Sequence, residues 1–447
     1  MDLIVCLDKK FGLGKNNSIP WDNKEDMKWF RKITTEDTMN YMLMGRKTFQ
    51  SLPTTFQFKE KRFGVVVSNS LFLENHEYKD VKIFPTLTKA MFWLRQQQGR
   101  IICIGGKNMY IDVLQKGLVN TIYFNQLDDD YECDIFFNEI KYFIETSFIK
   151  DQDKVYLKYE SGEKEYLNLL ETIISTGKYK MDRTNTGVYS VFGKQITFDI
   201  SEKFPLLTTK KVYYKGVVEE LLWFLKGDTN VKHLQEKNVH IWDGNSSREF
   251  MDSININREE GDIGPCYGWQ WRHFGANYET MKSDYKGKGY DQIKSIIQSL
   301  NLNPNGRRHI LSAWNPPDLN QMNLPPCHIL YQFYIEDDKL SCSMYQRSAD
   351  VFLGLPFNIA STALLTHIIA NIVNKKVDKI HINIGDAHVY TNHIEQCFKQ
   401  LDNNIYEGPV LKINKNITLD NIETLEFNDF ELLGYKSHGV IKAKMAI

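Results

Sequence analysis

The sequence predicts two units in series, the first of which has an α/β fold with a mostly parallel central sheet. Three observations lead to this prediction. A length of 447 residues suggests about two or three domains. Up to about residue 160, short β-rich apolar runs alternate with helical runs. Beyond that point the character of the chain changes without a Pro/Ser-rich or low-complexity tract. We therefore place the first unit at residues 1–160, a short junction at 161–164 and the second unit at 165–447.

The elements of the first unit follow in chain order from the apolar runs. Strands are expected at Leu3–Leu7, Tyr41–Met44, Phe63–Ser68, Ile101–Ile104 and Thr121–Gln126. Helices are expected at Lys24–Ile33, Lys47–Leu52, Leu87–Gln97 and Asn108–Lys116. Two further runs, Phe143–Lys150 and Val155–Tyr159, are close enough to pair as an antiparallel hairpin. In the second unit, Glu165–Thr176 is expected to form a helix that ends at Gly177, a common C-cap.

Composition and charge narrow the class of protein. A hydrophobic content of 42% and a charged content of 25% are ordinary for a globular chain. The net charge of -1 does not favour nucleic acid as the main ligand. Seven scattered cysteines without a CxxC pair favour neither a disulfide framework nor a metal site, and they fit a reducing, cytoplasmic location.

No targeting or membrane segment is expected. The N-terminal residues Met1–Asp8 are too short and acidic for a signal peptide, and we find no apolar run approaching about 18 residues.

The stretch Leu324–His328 is the most informative of the chain. Two prolines fix the backbone ahead of Cys327, so the thiol is held in one direction. Such a thiol can attack as a nucleophile where nearby cations favour the thiolate. A small buried cysteine at a strand edge explains this motif equally well. The downstream run Tyr345–Asn358 favours the nucleophile.

Three segments carry arginines whose planar guanidinium groups suit phosphate oxygens: Met181–Gly187, Gly306–Ile310 and Gln346–Ser348. A surface cation is the ordinary alternative for each. On a strand, the adjacent Arg307 and Arg308 would point to opposite faces, so one site within one subunit could use both only if they lie in a loop.

Two further sets of side chains are candidates. On a helix, Glu220 shares a face with Val217, Leu221 and Phe224, where a carboxylate has a raised pKa and can exchange protons near neutral pH. That stretch is apolar almost all round, so its periodicity does not single out one face. His388 and Tyr390 lie two residues apart on an extended segment and could bind a sugar hydroxyl. A half-buried strand with two aromatic residues by chance explains them as well.

Together these segments resemble thymidylate synthase from about Tyr166 to Ile447. The matching motifs are Leu221–Leu225, Gln270–Arg272, Arg307–Arg308, Ser312–Asn315, Pro326–His328 and Tyr345–Ala360. The resemblance implies an α+β fold, dUMP as the substrate and 5,10-methylenetetrahydrofolate as the methyl donor. It implies an obligate dimer as well, because Arg307 and Arg308 would reach the phosphate of the neighbouring subunit.

The resemblance also implies roles for the matching residues. Cys327 would attack C6 of the pyrimidine, Glu220 would move protons through ordered water, and Tyr267 would order the water that takes the C5 proton. Asn358 would hydrogen-bond the uracil edge and reject cytosine. The other implied dUMP contacts are Arg183, Arg347 and Ser348 at the phosphate, His388 and Tyr390 at the deoxyribose, and Gln346 and Asp350. Asp350 would also bind the pterin, with Trp242 and Ala446 as walls of the folate pocket.

The first unit carries weaker signals. Asp26 lies on the helix predicted at Lys24–Ile33, where a lone aspartate is usually solvated. Met44–Thr48 ends a strand and opens a helix, which suits a phosphate, and Ile104–Asn108 repeats this arrangement. The Gly105–Gly106 pair has the wrong spacing for a dinucleotide-binding fingerprint.

The order of these signals resembles dihydrofolate reductase across essentially the whole first unit. The matching motifs are Gly12–Lys15, Ile19–Trp21, Asp26 with Trp29–Phe30, Met44–Thr48, and Ile104–Gly106 with Tyr110. The resemblance implies hydride transfer from NADPH to dihydrofolate, with Asp26 holding the pteridine and promoting protonation at N5. The implied folate contacts are Met27, Phe30, Leu52 and Arg62. The implied NADPH contacts are Gly14, Gly45, Arg46, Lys47, Thr48, Ser68, Gly105, Gly106, Lys107 and Tyr110.

Three positions depart from the two family patterns. Asn185 stands where glycine is usual, and asparagine tolerates left-handed backbone angles. Asn125 stands where a threonine usually bonds the acid and the pterin, and an amide can also donate and accept. Asn69 stands where a basic residue often meets the 2′-phosphate, which leaves the preference for NADPH over NADH open.

Both resemblances in this order match the bifunctional family of protists and plants, in which the second unit makes dihydrofolate and the first reduces it. Three alternatives remain at this point: an active synthase with a decayed reductase scaffold, an RNA-binding regulator, and a pyrimidine hydroxymethylase. The near-neutral charge argues against the second and Asn358 against the third.

Overall fold

A computed structural model describes the chain except for residues 36–38, 54, 55, 57, 59, 60, 75–77, 120, 141–148, 152, 153, 157–161, 182–185 and 445–447. The chain divides into two compact units, Met1–Glu160 and Ser161–Ile447.

The first unit is built on a twisted layer of short strands. They are β1 Asp2–Leu7, β2 Gly12–Gly14, β3 Asn40–Gly45, β4 Arg62–Val67, β5 Val81–Phe84, β6 Arg100–Gly105, β7 Thr121–Gln126, β8 Ile135–Phe136, β9 Ile149–Asp151 and β10 Lys154–Tyr156. Eight of them form one sheet in the order β5-β4-β3-β6-β1-β7-β10-β9, and β2 pairs with β8. Every pairing from β5 to β7 is parallel, and only β10 and β9 are antiparallel, which confirms the predicted α/β fold.

Helices cover both faces of this sheet, and the strands are apolar on both faces for that reason. The helices are α1 Lys24–Thr35, α2 Arg46–Ser51, α3 Asn69–Glu74, α4 Leu87–Leu94 and α5 Lys107–Gln115. Successive residues of β3 alternate between two cores. Leu43 packs with residues of α4 and α5. Met42 and Met44 pack with Ile33 of α1 and Leu71 of α3.

The nine strands and helices predicted for the body of the first unit are present, with boundaries within three residues of those expected. The predicted hairpin is present as the antiparallel pair β9–β10, while its residues 143–148, 157–159 and the intervening 152 and 153 lie outside the described part. The sequence analysis missed β2, β5, β8 and α3. These elements are two to six residues long, too short to show a period.

The second unit combines a mixed sheet with a larger set of helices. Its strands are β11 Lys178–Lys180, β12 Val188–Asp199, β13 Ile310–Ser312, β14 His328–Glu336, β15 Lys339–Asp350, β16 Lys376–Tyr390, β17 Val410–Ile413 and β18 Phe430–Leu433. Six strands form a sheet in the order β11-β12-β16-β15-β14-β13, parallel only between β15 and β16. This is the α+β architecture that the resemblance implied.

The helices of the second unit are α6 Gly162–Thr176, α7 Tyr214–Leu225, α8 Lys232–Gln235, α9 Asp243–Ser246, α10 Arg248–Ser253, α11 Gly268–His273, α12 Gln292–Leu302, α13 Leu355–Ile372 and α14 Ile394–Leu401. Short 3₁₀ helices lie at Pro316–Gln321, Thr391–His393, Ile422–Thr424 and Phe427–Asp429. Helix α6 ends before Gly177 as predicted.

The predicted junction is shorter in the structure, because α6 begins at Gly162 and residues 162–164 form its first turn. Packing explains the difference. A Cβ at position 162 would lie 2.2 Å from Cδ1 of Phe198, so only glycine permits this close approach.

Helix α13 is the one helix among the described residues that is long and apolar enough to cross a membrane, with a mean hydropathy of 1.3 over 18 residues. Threonine, serine and asparagine interrupt its apolar residues, so the sequence shows no long apolar run at this place. In the structure 72% of this segment is buried inside the protein, which is typical of a core helix.

Two close contacts bring the central elements of the second unit together. Strand β14 begins at His328, immediately after Cys327, and pairs with β15 through His328 and Gln346. Helix α11 packs on α7 at Gly268, where an added Cβ would lie 2.3 Å from the carbonyl oxygen of Phe224.

We expect Gly268→Ala to lower the free energy of unfolding of the second unit by about 1–3 kcal/mol, because the Phe224 backbone cannot move aside. Chemical denaturation monitored by tryptophan fluorescence measures this change. The control is Gly408→Ala, whose Cβ would meet its nearest atom, Cβ of Lys203, at 3.4 Å. Equal stability of the two variants would contradict the expectation.

Candidate active sites

Cys327 is held by backbone contacts from two directions. Its N–H donates to the Tyr267 hydroxyl at 2.9 Å. Its carbonyl oxygen accepts from the N–H of Arg347 at 2.9 Å. Cys327 is partly exposed, so the alternative of a buried structural cysteine does not apply. The two backbone hydrogen bonds hold the residue in place.

The guanidinium of Arg347 surrounds the proline approach to this cysteine. Nε donates to the carbonyl of Pro326 and Nη2 to that of Pro325, each at 2.8 Å. Nη2 also lies 3.9 Å from Sγ of Cys327. One side chain therefore fixes the loop and places a positive charge beside the sulfur.

Glu220 lies on α7, and one of its two carboxylate oxygens accepts a hydrogen bond. The Trp242 indole N–H donates to its Oε1 at 2.7 Å. Burial raises the pKa of Glu220 to about 7, and the Trp242 hydrogen bond opposes part of this rise. The raised pKa expected from the sequence is confirmed, and the group can carry or release a proton near neutral pH.

Two neighbours of the cysteine are locked in their neutral forms. Burial raises the pKa of Tyr267 well above its usual value, and its ring stacks on Phe224 at 5.0 Å. Burial lowers the pKa of His328 to about 3, and its Nδ1 lies 2.7 Å from the Tyr331 hydroxyl. Neither ring exchanges its charge around pH 7.

Gln346 orients Asn358 at the start of α13. Its Nε2 donates to Oδ1 of Asn358 and to the carbonyl of Ser348, both at 3.0 Å. Gln346 is 2% exposed, and its Oε1 has no partner among the described residues. With its oxygen occupied, Asn358 presents its amide N–H groups as donors.

The ends of β15 and β16 bring three further predicted residues together. Asp350 lies opposite His388 in the parallel register. The rings of His388 and Tyr390 lie 5.4 Å apart, and His388 Nδ1 is 3.0 Å from Oδ1 of Asp386. Oδ1 of Asp350 accepts from the N–H groups of Phe352 and Leu353 at 3.0 Å.

Arg307 and Arg308 lie in the loop before β13, so the opposite-face objection does not apply. Both are exposed, and within the described part of the chain neither guanidinium group has a hydrogen bond or an ion pair. Arg183, Asn185 and Ala446 lie outside the described residues.

Lys210 is a buried cation that the sequence analysis missed. Its ammonium donates to the Phe352 carbonyl and lies 3.8 Å from the centroid of that ring. Burial lowers its pKa to about 8, and attraction to Asp350 opposes this shift. A single lysine between Thr209 and Lys211 carries no periodic signal, and only the fold brings it to Asp350.

In the first unit, Asp26 is buried and bonded rather than solvated, with 7% exposure. The Trp21 indole N–H donates to Oδ2 at 3.3 Å, and Nδ2 of Asn125 donates to Oδ1 at 2.9 Å. The Cys6 thiol adjoins the same carboxylate. Burial first, and then the charge of Asp26, raises the pKa of Cys6. Asn125 therefore supplies a donor to the acid despite departing from the family pattern.

The predicted folate contacts of the first unit differ in burial and in their partners. Phe30 and Leu52 pack against one core of the unit, while Met27 is 54% exposed. Nη2 of Arg62 donates to the Thr34 hydroxyl at 2.7 Å, and burial followed by the charge of Arg31 lowers its pKa.

Two helix N-termini meet at the carboxyl edge of the parallel sheet. Gly45 precedes α2 and Gly106 precedes α5, and neither helix has a side-chain cap. The register pairs Met44 with Gly105, so β3 and β6 end side by side. A Cβ at Gly106 would lie 3.0 Å from Oγ1 of Thr48. Uncapped N–H groups next to a glycine surface suit the phosphates of a dinucleotide.

The remaining predicted cofactor contacts differ in their hydrogen-bond partners and in their exposure. The Tyr110 hydroxyl donates to the Ile4 carbonyl at 2.8 Å, and Lys107 pairs with Glu139 at 3.0 Å. Ser68 Oγ accepts from the N–H of Leu71 at 3.2 Å. Arg46, Lys47 and Asn69 are exposed, and Gly14 lies on β2.

Comparison with known proteins gives the same division of the chain. Residues 1–163 match the family described as dihydrofolate reductase, and residues 164–447 match thymidylate synthase. The chain is 40% identical to a bifunctional dihydrofolate reductase-thymidylate synthase of Paramecium tetraurelia, covering 100% of this chain and 98% of that protein. Its identity to the protein of that name is 39% in Zea mays (100% and 96% covered) and 36% in Plasmodium chabaudi (97% and 94%).

We expect Trp242→Phe to raise the pKa of Glu220 above about 7 by about one unit, because the variant loses the donor that stabilises the carboxylate. Carbon-13 NMR titration of labelled glutamate measures the midpoint. The control is Trp271→Phe, since the indole N–H of Trp271 has no partner among the described residues. An unchanged or lower midpoint in Trp242→Phe would contradict the expectation.

Proposed function

The chain belongs to the bifunctional dihydrofolate reductase–thymidylate synthase family, and we propose that Cys327 and Asp26 carry its two reactions. The protein is an enzyme of thymidylate synthesis and dihydrofolate reduction. For the second unit we propose dUMP and 5,10-methylenetetrahydrofolate as substrates, and for the first unit dihydrofolate and NADPH. The contact between Arg347 and the Cys327 sulfur carries the synthase assignment.

The synthase chemistry begins with the poor nucleophilicity of pyrimidine C5. The Cys327 sulfur bonds to C6, and the electron pair of the C5–C6 double bond makes C5 an enolate carbon. That carbon attacks the one-carbon unit of the folate. The positive charge of Arg347 stabilises the sulfur anion, and the backbone contacts of Cys327 hold it in line with C6.

Protons then move at two places. Glu220, with a pKa of about 7, gives and takes a proton at the pyrimidine O4 and at the folate through water. The neutral Tyr267 hydroxyl accepts from the N–H of Cys327 and donates to the water that removes the C5 proton. The folate supplies the one-carbon unit and the hydride that completes the methyl group, and it leaves as dihydrofolate.

Asn358 selects the base. Because Gln346 occupies its amide oxygen, its N–H groups face the position of the uracil O4 as donors. Cytosine carries an amino group there, so two donors would oppose each other. This argues against a pyrimidine hydroxymethylase that acts on cytosine.

We propose that Arg183, Arg347 and Ser348 hold the phosphate. His388 and Tyr390, at the end of β16, bind the deoxyribose hydroxyl. Asp350, beneath which Lys210 lies, binds the pterin, and Trp242 and Ala446 wall the folate pocket.

In the first unit, Asp26 holds the pteridine and promotes protonation at N5. Its two oxygens already accept from Trp21 and Asn125, which orients the carboxylate. NADPH supplies the hydride, and the N–H groups at the starts of α2 and α5 bind its phosphates. The alternative of a decayed reductase rested on Asn125, and its 2.9 Å contact with Asp26 favours an active site instead.

We further propose a homodimer formed through the synthase unit. The outward face of β14 and β15 carries the aromatic residues Tyr334 and Tyr345, which are 52% and 39% exposed. Exposed aromatic side chains on one face of a sheet are typical of an interaction surface. The guanidinium groups of Arg307 and Arg308, which have no partner among the described residues, would then reach the dUMP phosphate of the partner subunit.

For the location we propose the cytoplasm, since the seven cysteines are scattered, with no CxxC pair, as is typical of a reducing compartment. We propose small molecules rather than nucleic acid or a membrane as ligands, because the net charge of -1 offers no basic surface excess. A filter-binding titration in physiological salt tests the RNA alternative.

We expect Cys327→Ser to slow dUMP-dependent formation of dihydrofolate at least about a thousandfold, since the hydroxyl is a far weaker nucleophile. NADPH oxidation with added dihydrofolate should stay unchanged in this variant. Asp26→Asn should give the opposite pattern. One spectrophotometric assay of each reaction on both variants makes the measurement. Undiminished thymidylate synthesis by Cys327→Ser would refute the mechanism.

Mixing two inactive variants tests the shared site. We expect Cys327→Ala and Arg308→Ala to regain about one quarter of the wild-type synthase activity after joint refolding, because half of the dimers are mixed and each contains one intact site. Each variant refolded alone is the control. No recovery in a mixture shown to contain mixed dimers would mean that Arg308 serves its own subunit.

A further inference from the structure

The buried carboxylate of Glu163 takes no part in the proposed chemistry, yet it has more hydrogen-bond donors than Asp26. It lies in the first turn of α6 and is 8% exposed. Oε1 accepts from the N–H groups of Thr208 and Thr209 and from the Thr209 hydroxyl, each at 2.8 Å. Oε2 accepts from the Thr208 N–H at 3.0 Å and its hydroxyl at 2.9 Å. A buried carboxylate persists only with such compensation, so Glu163 and these two threonines form one unit.

The segment around these threonines, residues 207–212, holds the C-terminal part of the chain. The Thr208 carbonyl accepts from the N–H of His438 at 3.0 Å. The Tyr435 hydroxyl donates to the Leu207 carbonyl at 2.8 Å and accepts from the N–H of Val212 at 3.2 Å. These bonds fix residues 435–438 a few positions before Ala446.

The same segment also supports the loop that carries Asp350. Lys210 donates to the Phe352 carbonyl, and the N–H of Phe352 donates to Oδ1 of Asp350 at 3.0 Å. A second connection starts at Thr209, whose hydroxyl accepts from Nε2 of Gln400 at 3.0 Å. The Tyr166 hydroxyl lies 3.4 Å from Oε1 of Gln400 and 3.0 Å from the Val351 carbonyl.

We propose that Glu163 is a positioning residue for the folate side of the synthase pocket. By fixing the 207–212 segment, its carboxylate sets the Asp350 loop and the C-terminal segment together. The proposal rests on the proposed folate role of Asp350. The hydrogen bonds of this network end at the loop of residues 350–353 and at residues 435–438, so the folate side is the first part of the pocket to lose support.

Glu163→Gln tests the proposal with little change in volume. The amide nitrogen then faces the threonine donors and cannot accept from them. We expect the KM for methylenetetrahydrofolate to rise about tenfold, corresponding to the loss of one charge-assisted hydrogen bond. The KM for dUMP should change less, by under about twofold, because the network does not include the proposed phosphate and base contacts Arg347, Ser348 and Asn358. The reductase kcat/KM of the same full-length chain should also change less than about twofold, because Asp26 lies in the other unit. Glu163→Asp keeps the charge and should show a smaller rise.

Hydrogen–deuterium exchange gives a readout that does not depend on activity. In Glu163→Gln, peptides covering 207–212 and 435–444 should exchange faster, while those of β14 should not. Ile296→Val in α12 is the stability control, because its side chain is buried and belongs to none of these bonds. It should lower stability without separating the two KM values.

Three results would overturn the proposal: equal rises in both KM values, a fall in kcat alone, or unchanged exchange in the two segments. If Glu163→Gln does not fold, Thr209→Val removes one donor and keeps the carboxylate. An unchanged folate KM in that variant then overturns the proposal. A wild-type chain without synthase activity would instead refute the proposed function, and the exchange measurement would still test the network.

Discussion

The synthase site depends on the contacts of the Arg347 guanidinium with residues 325–327. Pro325 and Pro326 have no N–H groups for a local turn, and their carbonyls accept from the guanidinium of Arg347 instead. Nε and one N–H of Nη2 make these two hydrogen bonds, and the other N–H of Nη2 remains for the sulfur. A lysine could neither span both carbonyls nor keep its direction toward Sγ. The same arginine therefore sets both the shape of the loop and the positive charge beside the nucleophile.

Burial then divides the proton chemistry among the neighbours of that sulfur. The same desolvation that raises the pKa of Glu220 to about 7 lowers that of His328 to about 3 and raises that of Tyr267 well above its usual value. A carboxylate with one donor thus remains exchangeable, while two aromatic groups keep fixed protonation states and serve as hydrogen-bonding walls. In the reductase pocket, hydrogen-bond donors orient the single carboxylate. Asp26 is surrounded by donors that hold it in place, and no second carboxylate competes with it among its described partners.

Periodicity and local chemistry predicted those features of the fold and the site that depend on residues close together in the sequence. The parallel sheet, the α7 carboxylate with its raised pKa and the rigid approach to Cys327 all follow from residues a few positions apart. Long-range contacts could not be predicted in this way. Lys210 meets Phe352 across 142 positions, and Asn125 meets Asp26 across 99. The start of α6 within the predicted junction could not be predicted for the same reason, since Glu163 is fixed by threonines 45 and 46 positions later and not by its own sequence neighbours.

Glu163 lies at the start of the second unit, so it also fixes the chain where the two units join. The first unit ends at Glu160, so the first buried charge of the second unit follows only three positions later. A hinge at this point would leave the start of the synthase unit free to move. Instead the chain enters a helix whose first turn is bonded to the segment that supports the folate side. Because both units belong to one chain, the synthase and the reductase are present in equal amounts. The first turn of α6 and the Asp350 loop share one hydrogen-bond network, so a change at Glu163 acts on the proposed folate side before it reaches the nucleophile.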